Sequence, residues 1–345
     1  MELKNTYITN EDKFLQFNFW VTTYCNFNCR YCYETCDKPD AYMSQEIADK
    51  AIEFMYNEID THACNALWIN FHGGEPMLNQ KLIVYVVKKI KQERPDIKLF
   101  TTATTNCSVM CEEAAECISE LTVSLDGTKK CHDMNRVRHD GSGTYDLAVS
   151  NALKYLELKG NVRTRMVVTP DNAADLSDNI IHLIELGFRE IMPGIDHFSK
   201  EWTEEMFGTV YQELLKVREY RLAHPEYRIK IGIIDSAIKR MGKCYVGCDG
   251  YQIYINGKLY PCTYAAGDEY YEVGDIFNGV DVNAAKRINC MNNGKLEACA
   301  GCGYYEYCIS PRCRIINQKL TGDHMTPSAV VCASENLKIK LHGIK

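Results

Sequence analysis

The sequence predicts an α/β fold, a partial (β/α)6 barrel of the TIM type followed by a cysteine-rich domain. Over the first two thirds of the chain, short apolar runs alternate six times with amphipathic stretches, the pattern of repeated strand–helix units. Six units are fewer than the eight that close such a barrel. After Cys244 the content of cysteine, glycine and tyrosine rises and the strong helical periodicity fades. This change predicts a second kind of domain.

Strands are predicted where apolar residues form short runs, and helices where apolar residues recur at helical spacing. The predicted strands are Gln16–Thr22, Leu67–Phe71, Lys98–Thr104, Leu121–Leu125, Arg163–Val168 and Glu190–Pro193. The predicted helices are Gln45–Glu58, Gln80–Glu93, Cys111–Ser119, Tyr145–Leu158, Leu176–Leu186 and Thr203–Ala223.

The C-terminal part begins with a predicted hairpin, because Asn256-Gly257 separates the apolar runs Tyr251–Ile255 and Lys258–Tyr260. A domain with so few aliphatic residues needs an additional stabilising crosslink, and we expect bound metal to provide it. The predicted boundaries are 1–225 for the barrel, 226–243 for a connecting segment, 244–335 for the cysteine-rich domain and 336–345 for a C-terminal tail.

The composition restricts the class of protein. The chain has 345 residues, a net charge of −7 and 18 cysteines. The start of the chain lacks the apolar segment of a signal peptide, and the longest aliphatic run, Leu82 to Val87, is too short to span a bilayer. We therefore expect a cytoplasmic protein whose thiols bind metal rather than form disulfides. The acidic balance argues against nucleic acid as a partner, and nothing suggests a membrane partner.

Suggestive polar groups follow the predicted strands at their carboxyl ends, where barrel enzymes build their active sites. Each of the six strands is followed by such a group, which predicts a single active site. The groups are the loop Cys25–Cys32, Gly73-Gly74-Glu75-Pro76, Thr105-Asn106, Ser124-Leu125-Asp126-Gly127, Thr169-Pro170 and Gly194-Ile195-Asp196.

Three cysteines after the first strand, Cys25, Cys29 and Cys32, have the spacing C-x3-C-x2-C. Iron–sulfur clusters normally take four cysteines, so three thiolates leave one iron of a 4Fe-4S cluster open to a substrate or cofactor. A zinc knuckle with Cys36 as its fourth ligand is the alternative. The run, with Tyr31 before its last cysteine, resembles the signature of the radical S-adenosylmethionine (SAM) enzymes. In that family the open iron binds SAM, whose cleavage yields a 5′-deoxyadenosyl radical.

The resemblance also implies residues that contact SAM. Gly73-Gly74-Glu75-Pro76 resembles the family's glycine-rich segment, in which Glu75 or the adjacent backbone carbonyls accept hydrogen bonds from the SAM amino group. The alternative for this segment and for Asp126-Gly127 is a simple turn without a role in binding. For Arg136 two options are open: it caps a surface, or it pairs with a carboxylate through two hydrogen bonds. The SAM-binding residues implied are Tyr31, Gly73, Gly74, Glu75, Asn106, Ser124, Asp126 and Arg136. The family often has glycine where this chain has Cys107.

The C-terminal cysteines resemble the SPASM domain, an extension that carries two auxiliary 4Fe-4S clusters, so the chain is expected to hold three clusters in all. The resemblance assigns Cys244, Cys248, Cys262 and Cys313 to one cluster and Cys299, Cys302, Cys308 and Cys332 to the other. If Cys313 does not bind, the first auxiliary cluster has an open iron for a substrate thiolate. Zinc ribbons are the alternative for these spacings. The remaining cysteines are predicted core residues, with Cys107 a candidate hydrogen-atom donor; they are Cys36, Cys64, Cys107, Cys111, Cys117, Cys131 and Cys290.

Together these features resemble a radical SAM enzyme with a SPASM domain, a group whose members mostly modify peptides. We expect a maturase of a ribosomally made peptide (RiPP) that forms a thioether or carbon–carbon crosslink. The expected partners are the precursor peptide, a separate leader-binding protein and a flavodoxin- or ferredoxin-type electron donor. Asp196 or His197 is the candidate base.

Three alternatives remain from the sequence. An anaerobic sulfatase-maturating enzyme, which makes formylglycine, carries an Asp directly after the hairpin cysteine, where this chain has Thr263. A peptide epimerase is the second alternative. The third, from another class, is a non-catalytic iron–sulfur or zinc protein.

Overall fold

The computed structural model describes residues 8–9, 11–34, 40–242, 244, 250–291 and 293–343. Cys36 and Cys248 lie outside the described residues. The chain divides into two compact units. The first takes residues 1–26, 34–122 and 245–290, and the second takes residues 27–33, 123–244 and 291–345.

Strands and helices alternate through the first two thirds of the chain. The strands are β1 Phe14–Thr22, β2 Ala66–Gly73, β3 Lys98–Thr105, β4 Glu120–Ser124, β5 Arg163–Val168, β6 Glu190–Ile195, β7 Lys230–Ile231, β8 Gln252–Ile253, β9 Leu259–Tyr260, β10 Gly274–Asp275 and β11 Gly279–Val280. The helices are α1 Gln45–Thr61, α2 Gln80–Glu93, α3 Glu112–Cys117, α4 Lys129–Asn135, α5 Tyr145–Lys159, α6 Leu176–Glu185, α7 Glu204–Ala223, α8 Gly232–Asp235, α9 Val282–Met291, α10 Arg314–Thr321 and α11 Ala329–Leu341.

In the first unit, β1, β2 and β3 form a parallel sheet in which Phe17 pairs with Ile69 and Ile69 with Thr101. Parallel strands are buried on both faces, which fits the aromatic side chains of β1: Phe17, Phe19 and Trp20 have no solvent exposure. Helix α1 begins at the N-cap Ser44, whose side chain accepts a hydrogen bond from the backbone of Ile47. Because β1, β2 and β3 run parallel, their carboxyl ends share one edge of the sheet.

The predicted hairpin is present as β8 and β9, which pair antiparallel. Gly257 lies in the turn with φ +83°, a left-handed conformation that glycine adopts without strain. Strand β8 also pairs parallel with β1, through Asn18 and Gln252. Sequence patterns cannot show this pairing, since its two strands lie far apart in the chain. It places the residues before Cys262 at the edge of the first unit's sheet.

In the second unit, β5, β6 and β7 pair in parallel, with Arg163 opposite Glu190 and Glu190 opposite Lys230. Helix α7 is held to the start of α6 by the buried Glu213, whose carboxylate accepts hydrogen bonds from the backbone and hydroxyl of Ser177. The side chains of Phe188 and Tyr155 lie fully buried in this unit.

Strands β1 to β6 lie within two residues of their predicted bounds, and the six predicted barrel helices lie within three. Three helices, α9, α10 and α11, follow Cys244, where the helical periodicity of the sequence fades. Helix α10 is shorter than the window over which helical periodicity can be recognised. The predicted connecting segment 226–243 carries β7 and α8, and α11 runs through the predicted start of the tail at 336. The domain boundaries stay predictions.

Two of the cysteines predicted for the core, Cys107 and Cys131, are buried. Cys64, Cys111 and Cys117 are partly exposed, and Cys290 is exposed, so the core prediction is wrong for Cys290. Within the described ranges, no helix combines the length and the apolar character that crossing a membrane requires.

Replacing Gly257 with Ala should destabilise the protein more than replacing Gly279 with Ala. Both glycines have similar left-handed φ values, +83° and +85°, so both substitutions carry a conformational cost of about 1–2 kcal/mol. A Cβ at Gly257 would also lie 2.8 Å from Cδ1 of Ile276, whereas a Cβ at Gly279 meets nothing within 4 Å. Urea unfolding of both variants measures the difference. Equal losses would contradict the tight packing of this turn.

Candidate active site

The cysteine loop lies directly after β1. Cys25, Cys29 and Cys32 are partly exposed and form no disulfide. Cys25 belongs to the first compact unit, and Cys29 and Cys32 to the second. Partly exposed thiols that form no disulfide are the kind of soft ligand that iron–sulfur clusters take.

Gly73 and Gly74 allow the end of β2 to approach the chain that follows β1. A Cβ at Gly73 would lie 1.9 Å from the carbonyl oxygen of Thr22, and a Cβ at Gly74 would lie 2.3 Å from that of Tyr24. The backbone of Glu75 also donates a hydrogen bond to the Tyr24 carbonyl, at 2.9 Å. The two glycines therefore hold the start of the cysteine loop against β2.

Glu75 joins the ends of β2 and β3. Its carboxylate is 1% exposed and accepts hydrogen bonds from the Thr105 hydroxyl (2.8 Å) and from the backbone N–H of Asn106 (2.6 Å). It also accepts one from the backbone of Met77, at 3.0 Å. Breaking a buried, hydrogen-bonded carboxylate network is costly, so these contacts fix the position of Asn106.

Asn106 reaches the cysteine loop within the same unit. Its Nδ2 lies 3.6 Å from Sγ of Cys25 and donates to the side-chain oxygen of Asn26 at 3.2 Å. The Ser108 hydroxyl donates to that same oxygen at 3.0 Å. Sequence analysis missed Asn26 and Ser108. Asn26 lies inside the cysteine motif, and this position is the signal that could have identified it as a residue of the site.

Cys107 has φ +61°, a left-handed conformation that is rare for residues other than glycine. This explains why glycine suits the position in the family. The thiol is fully buried, and Sγ lies 3.8 Å from the Thr105 carbonyl oxygen. Its predicted role as a hydrogen-atom donor stays a prediction.

In the second unit, Asp126 is fully buried and its carboxylate accepts four hydrogen bonds. Two come from Nε and Nη2 of Arg136, at 2.9 and 3.0 Å. The others come from the Tyr31 hydroxyl, at 2.6 Å, and from the backbone of Val167, at 2.9 Å. Arg136 is 5% exposed, so it does not cap a surface. It pairs with a carboxylate through two hydrogen bonds, one of the two options that the sequence left open.

Arg136 also acts on the cysteine loop. Its guanidinium lies 5.3 Å from the centre of the Tyr31 ring, within the range of a cation–π contact. Burial raises the pKa of the Cys29 thiol to about 11, and the charge of Arg136 and a side-chain hydrogen bond from it act in the opposite direction. The arginine therefore favours the thiolate that metal binding needs.

Ser124 ends β4 and is buried, whereas Asp196 follows β6 and is held in a turn. The Asp196 carboxylate accepts a hydrogen bond from the backbone of Phe198 at 2.9 Å, and burial raises the pKa of this carboxyl. Burial lowers the pKa of His197. Nε2 of His197 is buried and has no hydrogen-bond partner among the described residues.

The second predicted set of auxiliary ligands lies in the second unit. Burial is the main cause that raises the pKa of Cys308 to about 11, and the charges of Glu335, Cys332 and Cys299 act in the same direction. Burial also raises the pKa of Cys299, and the charges of Cys302 and Cys332 contribute to that rise. The thiols of Cys299, Cys308 and Cys332 thus lie within electrostatic reach of one another. In the part of the chain that the structure describes, no three His, Cys, Asp or Glu side chains are grouped to hold a single metal ion.

The first predicted set is described only in part. Cys313 is the N-cap residue of α10, and burial and the charge of Cys244 raise the pKa of its thiol. The charge of Cys244 therefore reaches the Cys313 thiol within the second unit. Cys262 follows β9 in the first unit, and Cys248 lies outside the described residues.

Comparison with known proteins finds similarity over much of the chain. A family profile described as a 4Fe-4S single cluster domain matches residues 15–148. An uncharacterised protein of Methanocaldococcus jannaschii is 30% identical over 200 residues, which cover 52% of this chain and 67% of the relative. A cysteine-type anaerobic sulfatase-maturating enzyme of Clostridium novyi is 21% identical over 325 residues, 83% of this chain and 84% of the enzyme.

Solved structures share the fold. The enzyme anSMEcpe, solved with bound AdoMet and the Cp18Cys peptide, matches 95% of this chain and 97% of its own with a TM-score of 0.78 and 18% identity. Streptococcus suis SuiB bound to the precursor peptide SuiA matches 92% of this chain and 75% of its own, with a TM-score of 0.65 and 16% identity. The predicted fold class, a partial (β/α)6 barrel with a SPASM domain, is confirmed. The chain is therefore similar in sequence to an anaerobic sulfatase-maturating enzyme, and it shares its fold with anSMEcpe and SuiB.

Proposed function

We propose that this chain is a radical SAM enzyme that modifies a peptide and forms a thioether or carbon–carbon crosslink in it. The observation that carries the proposal is a second set of cysteines in the second unit, in addition to the cysteine loop: Cys299, Cys302, Cys308 and Cys332, none of which forms a disulfide. An enzyme that only generates a radical needs the loop alone, whereas a second cluster can accept the electron that crosslink formation releases. Two structural neighbours, anSMEcpe and SuiB, are bound to peptides in their solved structures.

Cys25, Cys29 and Cys32 would hold the radical-generating 4Fe-4S cluster. When bound, this cluster and SAM together supply the radical that abstracts hydrogen from a substrate carbon. The chain's own residues position the ligands: Asn106 donates toward the Cys25 sulfur, and hydrogen bonds to ligand sulfurs raise a cluster's reduction potential.

SAM would bind through the backbone next to Glu75 and through Ser124. The Glu75 carboxylate already accepts three hydrogen bonds from Thr105, Asn106 and Met77. This favours the adjacent backbone carbonyls over the carboxylate as acceptors for the SAM amino group.

Two auxiliary clusters would occupy the C-terminal cysteines, Cys299, Cys302, Cys308 and Cys332 for one, and Cys244, Cys248, Cys262 and Cys313 for the other. The charge of Cys244 reaches the Cys313 thiol, which supports Cys313 as a ligand. A fully ligated first cluster would leave no open iron for a substrate thiolate. Such a cluster would act in electron transfer.

The proposed partners are a precursor peptide, a leader-binding protein and a flavodoxin- or ferredoxin-type electron donor. If crosslinking needs a base, Asp196 is the proposed group. Burial raises the pKa of this carboxyl, which brings it nearer to the range in which a general base works well.

A sulfatase-maturating activity is the second candidate, supported by similarity that extends over most of the chain. Against it stands Thr263, which occupies the position of that subgroup's aspartate. Its hydroxyl donates to the side-chain oxygen of Gln252 at 3.3 Å. A threonine hydroxyl cannot take a proton at neutral pH as a carboxylate does.

Reduced, reconstituted protein should convert SAM to 5′-deoxyadenosine, and variants with Cys25, Cys29 or Cys32 replaced by Ala should lose this activity. Each replacement removes one of the three proposed ligands of the cluster. Liquid chromatography of the nucleoside products measures the effect. The exposed Cys290→Ala is the matched control and should keep the wild-type yield. An unchanged yield in the loop variants would contradict the assignment of the cysteine loop.

Anaerobic co-expression with a short cysteine-rich peptide encoded beside the gene should lower the peptide mass by two hydrogen atoms per crosslink. Mass spectrometry with fragmentation then locates the new bond. The Cp18Cys peptide, tested in parallel, should acquire no aldehyde that reacts with a hydrazide probe. Aldehyde formation in Cp18Cys would favour the sulfatase-maturating alternative. Incorporation of deuterium from heavy water without a loss of hydrogen would favour epimerisation.

A further inference from the structure

Asp126 and Arg136, which the family resemblance assigns to SAM, are engaged by the protein itself. We infer that they are positioning residues, which hold the Cys29–Cys32 half of the cysteine loop in place through Tyr31 before any cofactor binds. The inference rests on the proposed function only in taking Cys29 and Cys32 as cluster ligands.

The Asp126 carboxylate is fully occupied by donors from the protein. An ionised carboxylate offers about four lone-pair positions. Here they are taken by two hydrogen bonds from Arg136 and one each from Tyr31 and Val167. A ribose hydroxyl or any other ligand would have to displace one of these donors from a fully buried group.

Asp126 is itself held in place through both its backbone and its side chain. Its backbone N–H points to Nδ1 of His132 at 3.4 Å, and its Oδ1 accepts from the backbone of Val167 in β5. The His132 ring is fully buried and its Nε2 lies 3.1 Å from the Thr144 hydroxyl. The carboxylate is therefore a rigid anchor for Tyr31 and Arg136.

The backbone of the loop is hydrogen-bonded to the segment that carries Arg136. The N–H of Asn28 donates to the Val137 carbonyl at 2.7 Å, and the N–H of Arg30 donates to the Asn135 carbonyl at 2.9 Å. Phe27 forms an antiparallel bridge with Arg138. These two amides flank Cys29 and therefore report directly on whether its part of the loop is held.

Tyr31 connects the anchor to the loop. Its hydroxyl donates to Asp126 at 2.6 Å, the short length of a charge-assisted hydrogen bond, and its ring lies under the Arg136 guanidinium. A phenylalanine at this position would lack that hydrogen bond. Cys29 and Cys32 on either side of Tyr31 would then be less firmly oriented.

The test is hydrogen exchange of the Asn28 and Arg30 amides in the cofactor-free full-length protein, measured by NMR. Tyr31→Phe and Arg136→Gln should each raise their exchange rates by about tenfold or more, since each removes a hydrogen bond to a charged group. The effects in the double variant should not be additive, because both residues act through Asp126. Arg136→Lys should not restore protection, because a lysine cannot reproduce the two-pronged contact.

Arg189→Gln is the matched control. Arg189 also lies in the second unit, against the ring of Tyr227 and the carbonyl of Ile184, away from the loop. Replacing Arg189 should leave the Asn28 and Arg30 amides protected from hydrogen exchange. If Arg136→Gln fails to fold, amide exchange in Tyr31→Phe alone tests the inference, because this substitution removes only one oxygen atom.

Unchanged protection in Tyr31→Phe would overturn the inference. So would unchanged protection in Arg136→Gln together with a SAM affinity at least tenfold weaker, which would make Arg136 a cofactor ligand. A second readout is the electron paramagnetic resonance spectrum of the reduced front cluster, which Tyr31→Phe should alter even without SAM. Because exchange is measured without cofactor, it decides the inference even if the wild-type protein produces no 5′-deoxyadenosine and the proposed function fails.

Discussion

Two buried carboxylates, Glu75 in the first unit and Asp126 in the second, are the constraint on which the candidate site depends. Each follows a strand, is almost or fully excluded from solvent, and accepts hydrogen bonds from donors on more than one segment of the chain. A buried charge that loses such partners is strongly destabilising, so any other arrangement of the donors around each carboxylate would lower the stability of the fold. Glu75 thereby fixes Asn106 near Cys25, and Asp126 fixes Tyr31 beside Cys29. Short polar loops acquire defined positions in this way without a large apolar core of their own.

The cysteines divide into groups that differ in setting. Those of the front loop follow a buried strand and are surrounded by polar side chains, with Asn106 near Cys25 and Arg136 near Cys29. The C-terminal group comes from short segments and from helix α11, and the charges of Cys299, Cys308 and Cys332 oppose one another's ionisation. Such a group is stable when a metal centre takes up the negative charges. The binding of metal would therefore contribute to the folding of this part of the chain.

The sequence predicted the strands of the barrel well, because buried parallel strands leave mostly apolar runs that are easy to recognise, as at Leu67–Phe71. Helix α10 was missed because it is short, and the pairing of β8 with β1 was missed because it joins Gln252 to Asn18 across most of the chain. The site motifs were recognised in the sequence, but the contacts that their residues make were not predicted. Glu75 and Asp126 resemble cofactor ligands in sequence, and only the structure shows that protein donors occupy their carboxylates. The grouping of Cys299 with Cys332 followed from resemblance and from no local pattern.

The most direct test of the account is the iron content of the reconstituted protein and of Cys308→Ala, with Cys290→Ala as the matched control. Cys308 is buried within the C-terminal group, whereas Cys290 is exposed and unassigned. We predict that Cys308→Ala loses about one third of the bound iron and keeps the signal of the front cluster, while Cys290→Ala matches the wild type. Equal iron in Cys308→Ala and wild type, or zinc in place of iron at these cysteines, would contradict the account.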